Sequence, residues 1–98
     1  MELPCNSSRI INIGKLFRAY SLDYIALLNK EKQGNWDEAH QQIQPYSGLM
    51  ACLIHGYLHR VEGDLDNAQY WYNRADTNIP DNTLEQEWQR LYELAHSD

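Results

Sequence analysis

Apolar residues recur every three or four positions along most of this chain, which is the spacing of one face of an amphipathic α-helix. The first such segment runs from Ile10 to Lys32, as one long helix or as two pieces broken near Ser21. Before it, Pro4 and an Asn-Ser-Ser run predict a loose leader over residues 1–9. The pattern therefore predicts that the folded part of the chain begins with helical structure.

Two further helices are predicted in the middle of the chain. Gly34 and Asn35 supply a helix stop and an N-cap, and Pro45 ends the short second helix that follows them. Ser47 is the expected cap of a third helix over residues 49–62, whose apolar positions make a broad stripe. Small residues on the other side of this third helix would let a second neighbour approach closely. We therefore expect it to lie in the middle of the fold.

A fourth and a fifth helix complete the pattern. The fourth has apolar residues at intervals of three and four, namely Leu65, Ala68, Tyr72, Ala75 and Ile79. After Pro80, Thr83 and Gln86 form a capping box for a fifth, clearly amphipathic helix. The five segments predict an all-α fold of two helix-turn-helix hairpins and a C-terminal capping helix, in one domain over residues 1–98.

Composition narrows the classes of partner. Fourteen acidic against eight basic residues give a net charge of −6, which repels phosphate backbones and anionic lipid, so we expect no nucleic-acid partner. No apolar run approaches the roughly 18 residues of a membrane helix, and the first residues lack the pattern of a signal peptide. We expect a cytoplasmic protein with no membrane partner. Cys5 and Cys52 are far apart in the sequence and have no CxxC spacing, so free thiols are the favoured interpretation and a disulfide between them is the alternative.

The chain contains an internal repeat. Residues 34–39 and 63–68 both read glycine, polar cap, large apolar residue, two polar residues and alanine, at a repeat distance of 29 residues. Helix-turn-helix units of this kind cannot bury their apolar faces alone, so duplicated units stack.

Over about residues 20–80 the chain resembles the tetratricopeptide repeats. Six positions match the repeat in type and spacing: Gly56, Gly63, Ala68, Tyr72, Ala75 and Pro80. Cys52, His55 and His59 depart from it, because the repeat usually has an aromatic residue, a leucine and an aromatic residue there. The resemblance implies stacked helical hairpins and a role in binding other proteins.

Residues 55–75 are also similar to a family of small bacterial proteins of unassigned function. The shared pattern is H-x-x-x-H-R-x-E-G-D-x-x-N-A-x-Y-W-Y-x-R-A. This similarity implies no activity.

The two histidines of that segment are the candidate chemical site. His55 and His59 are four residues apart, which places both rings on one side of a helix, and Glu62 follows one turn later. A metal site or a catalytic site is therefore one interpretation, and contact with a bound ligand is another. The ordinary alternative is structural, with both rings directed at the fourth helix and hydrogen-bonded near Tyr72. Gly56 excludes the H-E-x-x-H pattern of zinc proteases.

Further candidate residues lie outside the pair of histidines, most of them on the fourth helix. His40 and His96 could complete a metal set, but the sequence does not place them near the first two histidines. Asn67 and Arg74 could present a hydrogen-bonding face to a partner. Tyr70 and Trp71 are candidate interface anchors, since consecutive residues of a helix cannot all face the core. The alternative for Trp71 is packing against Trp88 of the fifth helix.

Three functions remain open from the sequence alone. The favoured hypothesis is a protein-interaction module that binds a partner segment or a second copy of itself, without a cofactor and without an evident catalytic set. The second is a small metal-binding protein or enzyme that uses His55 and His59. The third is a small-ligand pocket between the third and fourth helices.

Overall fold

The computed structural model describes residues 23–97, and the fold of this part is all-α. Its five helices are α1 (Tyr24–Lys32), α2 (Trp36–Ile43), α3 (Leu49–Glu62), α4 (Leu65–Arg74) and α5 (Leu84–Ser97). The described residues contain no strand. The predicted all-α class and the number of helices are confirmed. The leader, the segment from Ile10 to Leu22 and the pairing of Cys5 lie outside the described residues.

Helices α1 and α2 form the first hairpin. The Asp23 carboxylate accepts a hydrogen bond from the Ala26 backbone N–H at 3.0 Å and thereby caps α1. Gly34 turns the chain with a φ of 97°, a value that favours glycine. Lys30 and Glu38 form an ion pair of 3.2 Å between the two helices. The hairpin predicted from the glycine-asparagine signal is therefore present.

Helix α3 lies at the centre of the fold, as the sequence predicted. All nine residues from 51 to 59 are buried, because α2, α4 and α5 all pack against this helix. Its N-cap is Gly48 and not Ser47, so that expectation was wrong. The helix ends at Gly63, whose φ of 87° lets its own N–H and that of Asp64 bond back to the last carbonyls of α3.

Helices α3 and α4 approach each other very closely at Gly56. A Cβ atom added to Gly56 would lie 2.7 Å from a ring carbon of Tyr72 and 3.2 Å from the Ala68 carbonyl oxygen. Glycine is therefore required at this crossing because there is no room for a Cβ atom between α3 and α4, and not because of its backbone conformation.

Helix α4 is shorter than its apolar pattern suggested. It ends at Arg74, and Asp76 then adopts a φ of 64°, so Ile79 is not helical. The Thr77 N–H bonds back to the Tyr72 carbonyl at 3.0 Å, which closes the helix end. Ile79 nevertheless packs against the core from the following loop, which explains why its position fitted the apolar pattern.

Helix α5 covers α1 and α3. The predicted capping box is present, with the Gln86 N–H donating to Thr83 Oγ1 and the Thr83 N–H donating to Gln86 Oε1, both at 3.0 Å. Trp88 donates from its indole Nε1 to the Leu28 carbonyl at 3.0 Å and so joins α5 to α1. No helix among residues 23–97 is long and apolar enough to cross a membrane.

A buried carboxylate joins α4 to α5. Glu87 has no exposed surface and accepts a hydrogen bond from the Tyr72 hydroxyl at 2.7 Å. Asn82 and Arg90 also donate to this carboxylate, at 2.9 and 2.8 Å. Burial by itself would raise the pKa of Glu87, but the hydrogen bonds from these three side chains hold it below its ordinary value. The carboxylate is therefore a satisfied structural anion.

Candidate metal centre

Three histidine rings converge beside the middle of α3. His55 and His59 lie on α3, and His40 comes from α2. The ring centroids are 5.0 Å apart for His40 and His55, 5.1 Å for His40 and His59, and 5.0 Å for His55 and His59. One ligand nitrogen from each ring lies within 4.8 Å of the other two. The arrangement therefore offers three nitrogen ligands to one ion.

Local structure explains why these rings meet. The four-residue spacing of His55 and His59 stacks them on one side of α3. Trp36, at the start of α2, donates from its indole Nε1 to the Leu58 carbonyl at 2.7 Å and so fixes α2 against α3. Trp36 also stacks on His40, with 4.7 Å between ring centroids and 14° between ring planes. This contact holds His40 against α3 and toward the other two rings.

Two of the rings have polar partners outside the cluster. Nδ1 of His59 lies 2.6 Å from Glu62 Oε2, a pair in which the carboxylate selects the tautomer that leaves Nε2 free. The side-chain amide nitrogen of Gln44 lies 3.1 Å from Nδ1 of His40 and 3.5 Å from Nε2 of the same ring. Glu62 and Gln44 therefore orient their histidines from outside the trio.

His55 has a different environment from the other two rings. It is 3% exposed, and its Nδ1 atom is buried without a hydrogen-bond partner. Its ring stacks on Trp71 of α4, with 3.8 Å between centroids and 10° between planes. A buried polar atom without a partner is uncommon in native proteins and calls for a physical explanation. A metal ion bound at this nitrogen would satisfy it.

The electrostatics keep the buried ring neutral. Burial, and then the proximity of His59 and His40, lowers the pKa of His55 to about 3. The pKa of His40 is also lowered, first by burial and second by His59. Both rings are therefore unprotonated near pH 7, which is the form that binds metals.

An open cleft of about 450 Å³ adjoins the trio. Besides the three histidines, its lining comprises Gln44, Asn67 and Trp71. The cleft lies where α2, α3 and α4 come together, whereas the ligand pocket considered from the sequence involved the third and fourth helices only. Space is available there for a ligand larger than water.

One expectation about the histidines is corrected by this geometry. The expected hydrogen bonds near Tyr72 are not formed, because the Tyr72 hydroxyl donates to Glu87 and His59 pairs with Glu62. His96 does not join the cluster, since it lies on α5 against the ring of Tyr92.

The remaining candidate residues divide between two surfaces of α4. Asn67 lines the cleft, whereas Tyr70 and Arg74 lie on the exposed surface. Arg74 donates to the Tyr70 hydroxyl at 3.1 Å and places its guanidinium 5.2 Å from the Trp71 ring centroid. Trp71 does not pack against Trp88 as the alternative interpretation suggested, because its ring stacks on His55.

Sequence reasoning missed two residues of the site. Trp36 and Gln44 both lie four residues from His40, one on each side, so all three share one face of α2. That spacing was a detectable signal, but it becomes informative only when His40 is known to face α3.

A second acidic group overlaps the trio. Ligand atoms of His59, Glu62 and Asp64 also lie within 4.8 Å of one another. Both carboxylates are exposed, and Asp64 accepts from the Asn67 N–H at 3.3 Å as the N-cap of α4. The hydrogen bonds that Glu62 and Asp64 already make explain the positions of both carboxylates without a bound ion.

Comparisons with protein-family models, with curated proteins and with solved structures found no match for this chain.

Proposed function

We propose that this protein binds a transition-metal ion through His40, His55 and His59. The observation that carries the proposal is the convergence of three imidazoles, one of them buried with an Nδ1 that has no other partner. Two of the three rings are held in a neutral state near pH 7, so no proton has to be displaced from them.

The ligand set indicates the class of metal. Three imidazole nitrogens suit Zn²⁺, Co²⁺, Ni²⁺ and Cu²⁺, whereas Mg²⁺ and Ca²⁺ prefer oxygen ligands. In a tetrahedral site with metal–nitrogen distances of about 2.0–2.1 Å, the nitrogens lie about 3.3 Å apart. Since they now lie within 4.8 Å of one another, binding requires movements of up to about 1.5 Å. Small rotations of the rings supply movements of that size.

Residues around the ligands support such a site. Glu62 accepts from Nδ1 of His59, which is the usual carboxylate–histidine arrangement behind a metal. Gln44 would do the same for His40 after its amide rotates, so that the amide oxygen accepts from Nδ1 and Nε2 binds the metal. Trp71 fixes the plane of the His55 ring by stacking.

The experiment is a metal titration of protein made without a histidine tag and treated with a chelator. We expect one Zn²⁺ or Co²⁺ per chain by calorimetry, with loss of that stoichiometric binding in the His40→Ala variant. His40 is the best ligand to remove because it is only partly buried, and circular dichroism verifies the fold. The matched control is His96→Ala, since His96 lies on α5 outside the trio.

Two results would contradict the proposal. One is wild-type protein that binds no ion beyond the weak, nonstoichiometric level of an acidic surface. The other is a folded His40→Ala variant that binds as tightly as wild type and His96→Ala.

A second candidate function is protein interaction, which the exposed side of α4 favours. Tyr70 is 51% exposed, and Arg74 bonds to its hydroxyl beside the Trp71 ring. Tyrosine, tryptophan and arginine are the residues most enriched at energetically important interface positions. Light scattering after size exclusion tests self-association: a dimer that Tyr70→Ser and Arg74→Ser dissociate supports it. A protein that stays monomeric at high concentration refutes self-association. The interaction function would then consist of binding a segment of another protein.

Three broader expectations from the sequence remain predictions. The protein is expected in the cytoplasm, where the free thiol of the buried Cys52 would stay reduced. Membership of a tetratricopeptide-like group and of the bacterial family with the H-x-x-x-H-R pattern is also expected. A homologue search that recovers all three histidines together would connect these expectations with the metal site.

A further inference from the structure

The proposed metal site has three protein ligands and one open side. Within residues 23–97, the metal-ligand group that includes His40, His55 and His59 has no fourth member. Glu62 lies nearby, but its Oε2 is already 2.6 Å from Nδ1 of His59. Three histidines that leave one position free are the arrangement of catalytic and exchangeable zinc sites, whereas structural zinc sites fill all four positions. The three histidines therefore leave the fourth position of a tetrahedral ion to another ligand.

The cleft gives such a ligand access. The cleft is open toward solvent and has a volume of about 450 Å³. The ligand can therefore contain several heavy atoms, and it reaches the metal without passing through the core.

The rim of the cleft carries hydrogen-bond donors. Asn67 uses its amide nitrogen in one long contact of 3.4 Å with Asp64, and an amide nitrogen has two hydrogens. Gln44 also lines the cleft, and the rotation that lets its oxygen accept from His40 turns its amide nitrogen away from that ring. Both side chains can then donate to an oxygen-bearing ligand on the metal.

The charge of the loaded site favours an anion. Neutral imidazoles leave the two positive charges of the metal on the ion itself. Glu62 already accepts a hydrogen bond from His59, and Asp64 already accepts one from the first turn of α4. A bound anion completes the coordination and also accepts hydrogen bonds from the rim.

On these grounds we infer that the metal ion binds a small carboxylate-type anion, of the size of acetate or bicarbonate, at its open position, and that Asn67 donates a hydrogen bond to it. This inference rests on the proposed metal site. The anion enters and leaves through the cleft, so its binding is reversible.

Cobalt-loaded protein tests the inference directly, because the visible absorption of Co²⁺ depends on its ligands. Acetate and bicarbonate are titrated separately into the Co²⁺ protein in a buffer without other coordinating anions. We expect a saturable spectral change with one anion per metal. Asn67→Asp, which removes the donor and adds a negative charge, should weaken anion binding about tenfold or more. Asn73→Asp adds the same charge on the exposed part of α4 and should leave anion binding unchanged.

The outcomes separate the two proposals. Failure to bind Co²⁺ overturns the metal site and this inference together. A Co²⁺ spectrum that neither anion changes overturns only the open anion position, because the fourth ligand is then a group of the protein. Equal weakening by Asn67→Asp and Asn73→Asp overturns the role of Asn67, since the effect is then one of general charge.

Discussion

Substituting alanine for Gly56 should destabilise the protein, although alanine favours helices. The added Cβ atom would lie 2.7 and 2.8 Å from two ring carbons of Tyr72, whereas ordinary carbon–carbon contacts lie near 3.5–4.0 Å. The ring cannot withdraw freely, because its hydroxyl is bonded to the buried Glu87 at 2.7 Å. On the other side, the backbone carbonyl of Ala68 lies 3.2 Å from the same Cβ. Helices α3 and α4 must therefore separate or tilt.

The expected magnitude follows from two opposing effects. Overpacking of a well-filled core costs about 1–3 kcal/mol, and the restraint on Tyr72 places Gly56→Ala in the upper part of that range. Replacing a mid-helix glycine by alanine returns about 1 kcal/mol of helix propensity. We expect a net loss of about 1–2 kcal/mol in the free energy of unfolding. For a chain of this size, that loss lowers Tm by about 4–8 °C per kcal/mol.

Urea unfolding followed by circular dichroism measures this change, and thermal unfolding gives the shift in Tm. The control is Gly48→Ala at the N-cap of the same helix, where an added Cβ has no neighbour within 4 Å. That change should cost less than about 1 kcal/mol, since alanine is only a poorer cap than glycine. Stability of Gly56→Ala equal to or above that of wild type would refute the reasoning, because the ring would then yield without cost.

Three further predictions concern the polar contacts. Tyr72→Phe removes the hydroxyl that bonds to the buried Glu87 and should lower the free energy of unfolding by about 1.5–3 kcal/mol in urea titrations; a change below about 0.5 kcal/mol would contradict the geometry. Arg60→Met keeps the aliphatic part of the side chain but removes both hydrogen bonds to Asn82. Backbone hydrogen exchange in the loop before α5 should therefore become faster, and an unchanged exchange rate would contradict the role of these two bonds. In metal-free protein, His55 has a folded pKa of about 3 against an unfolded value near 6.5, so its contribution to stability is complete above pH 6.5 and is lost as the pH falls toward 3. In urea unfolding at pH 7, 6 and 5, the free energy of unfolding should fall by up to about 1.4 kcal/mol per pH unit in the wild type, and His55→Gln should largely abolish this fall. The same dependence of the free energy of unfolding on pH in both proteins would refute the prediction.

The helices were predictable because their signals are local. A broad apolar stripe, small residues opposite it and a terminal glycine predicted the extent and the central position of α3. Thr83 and Gln86 predicted the start of α5, because a capping box involves residues only three positions apart.

The errors arose where competing local contacts decided the outcome. Ser47 and Gly48 are both acceptable caps, and the chain uses the glycine. The apolar spacing continued to Ile79, but the left-handed Asp76 ended α4 earlier, and a loop residue now fills the place that a helical one was expected to fill. Apolar spacing alone does not distinguish these two ways of covering a core.

The candidate site divides in the same way. The sequence by itself determined that His55 and His59 share one side of a helix, because four residues make about one helical turn. Only the tertiary structure brought His40 to them, since that depends on the rotation of α2 about its axis, which the bond from Trp36 to the Leu58 carbonyl restrains. The stacking of Trp71 on His55, and the burial that leaves Nδ1 without a partner, depend on α4 in the same way. Residues distant in the chain meet according to how helices pack, and helical periodicity specifies the faces of each helix but not the partner that each face meets.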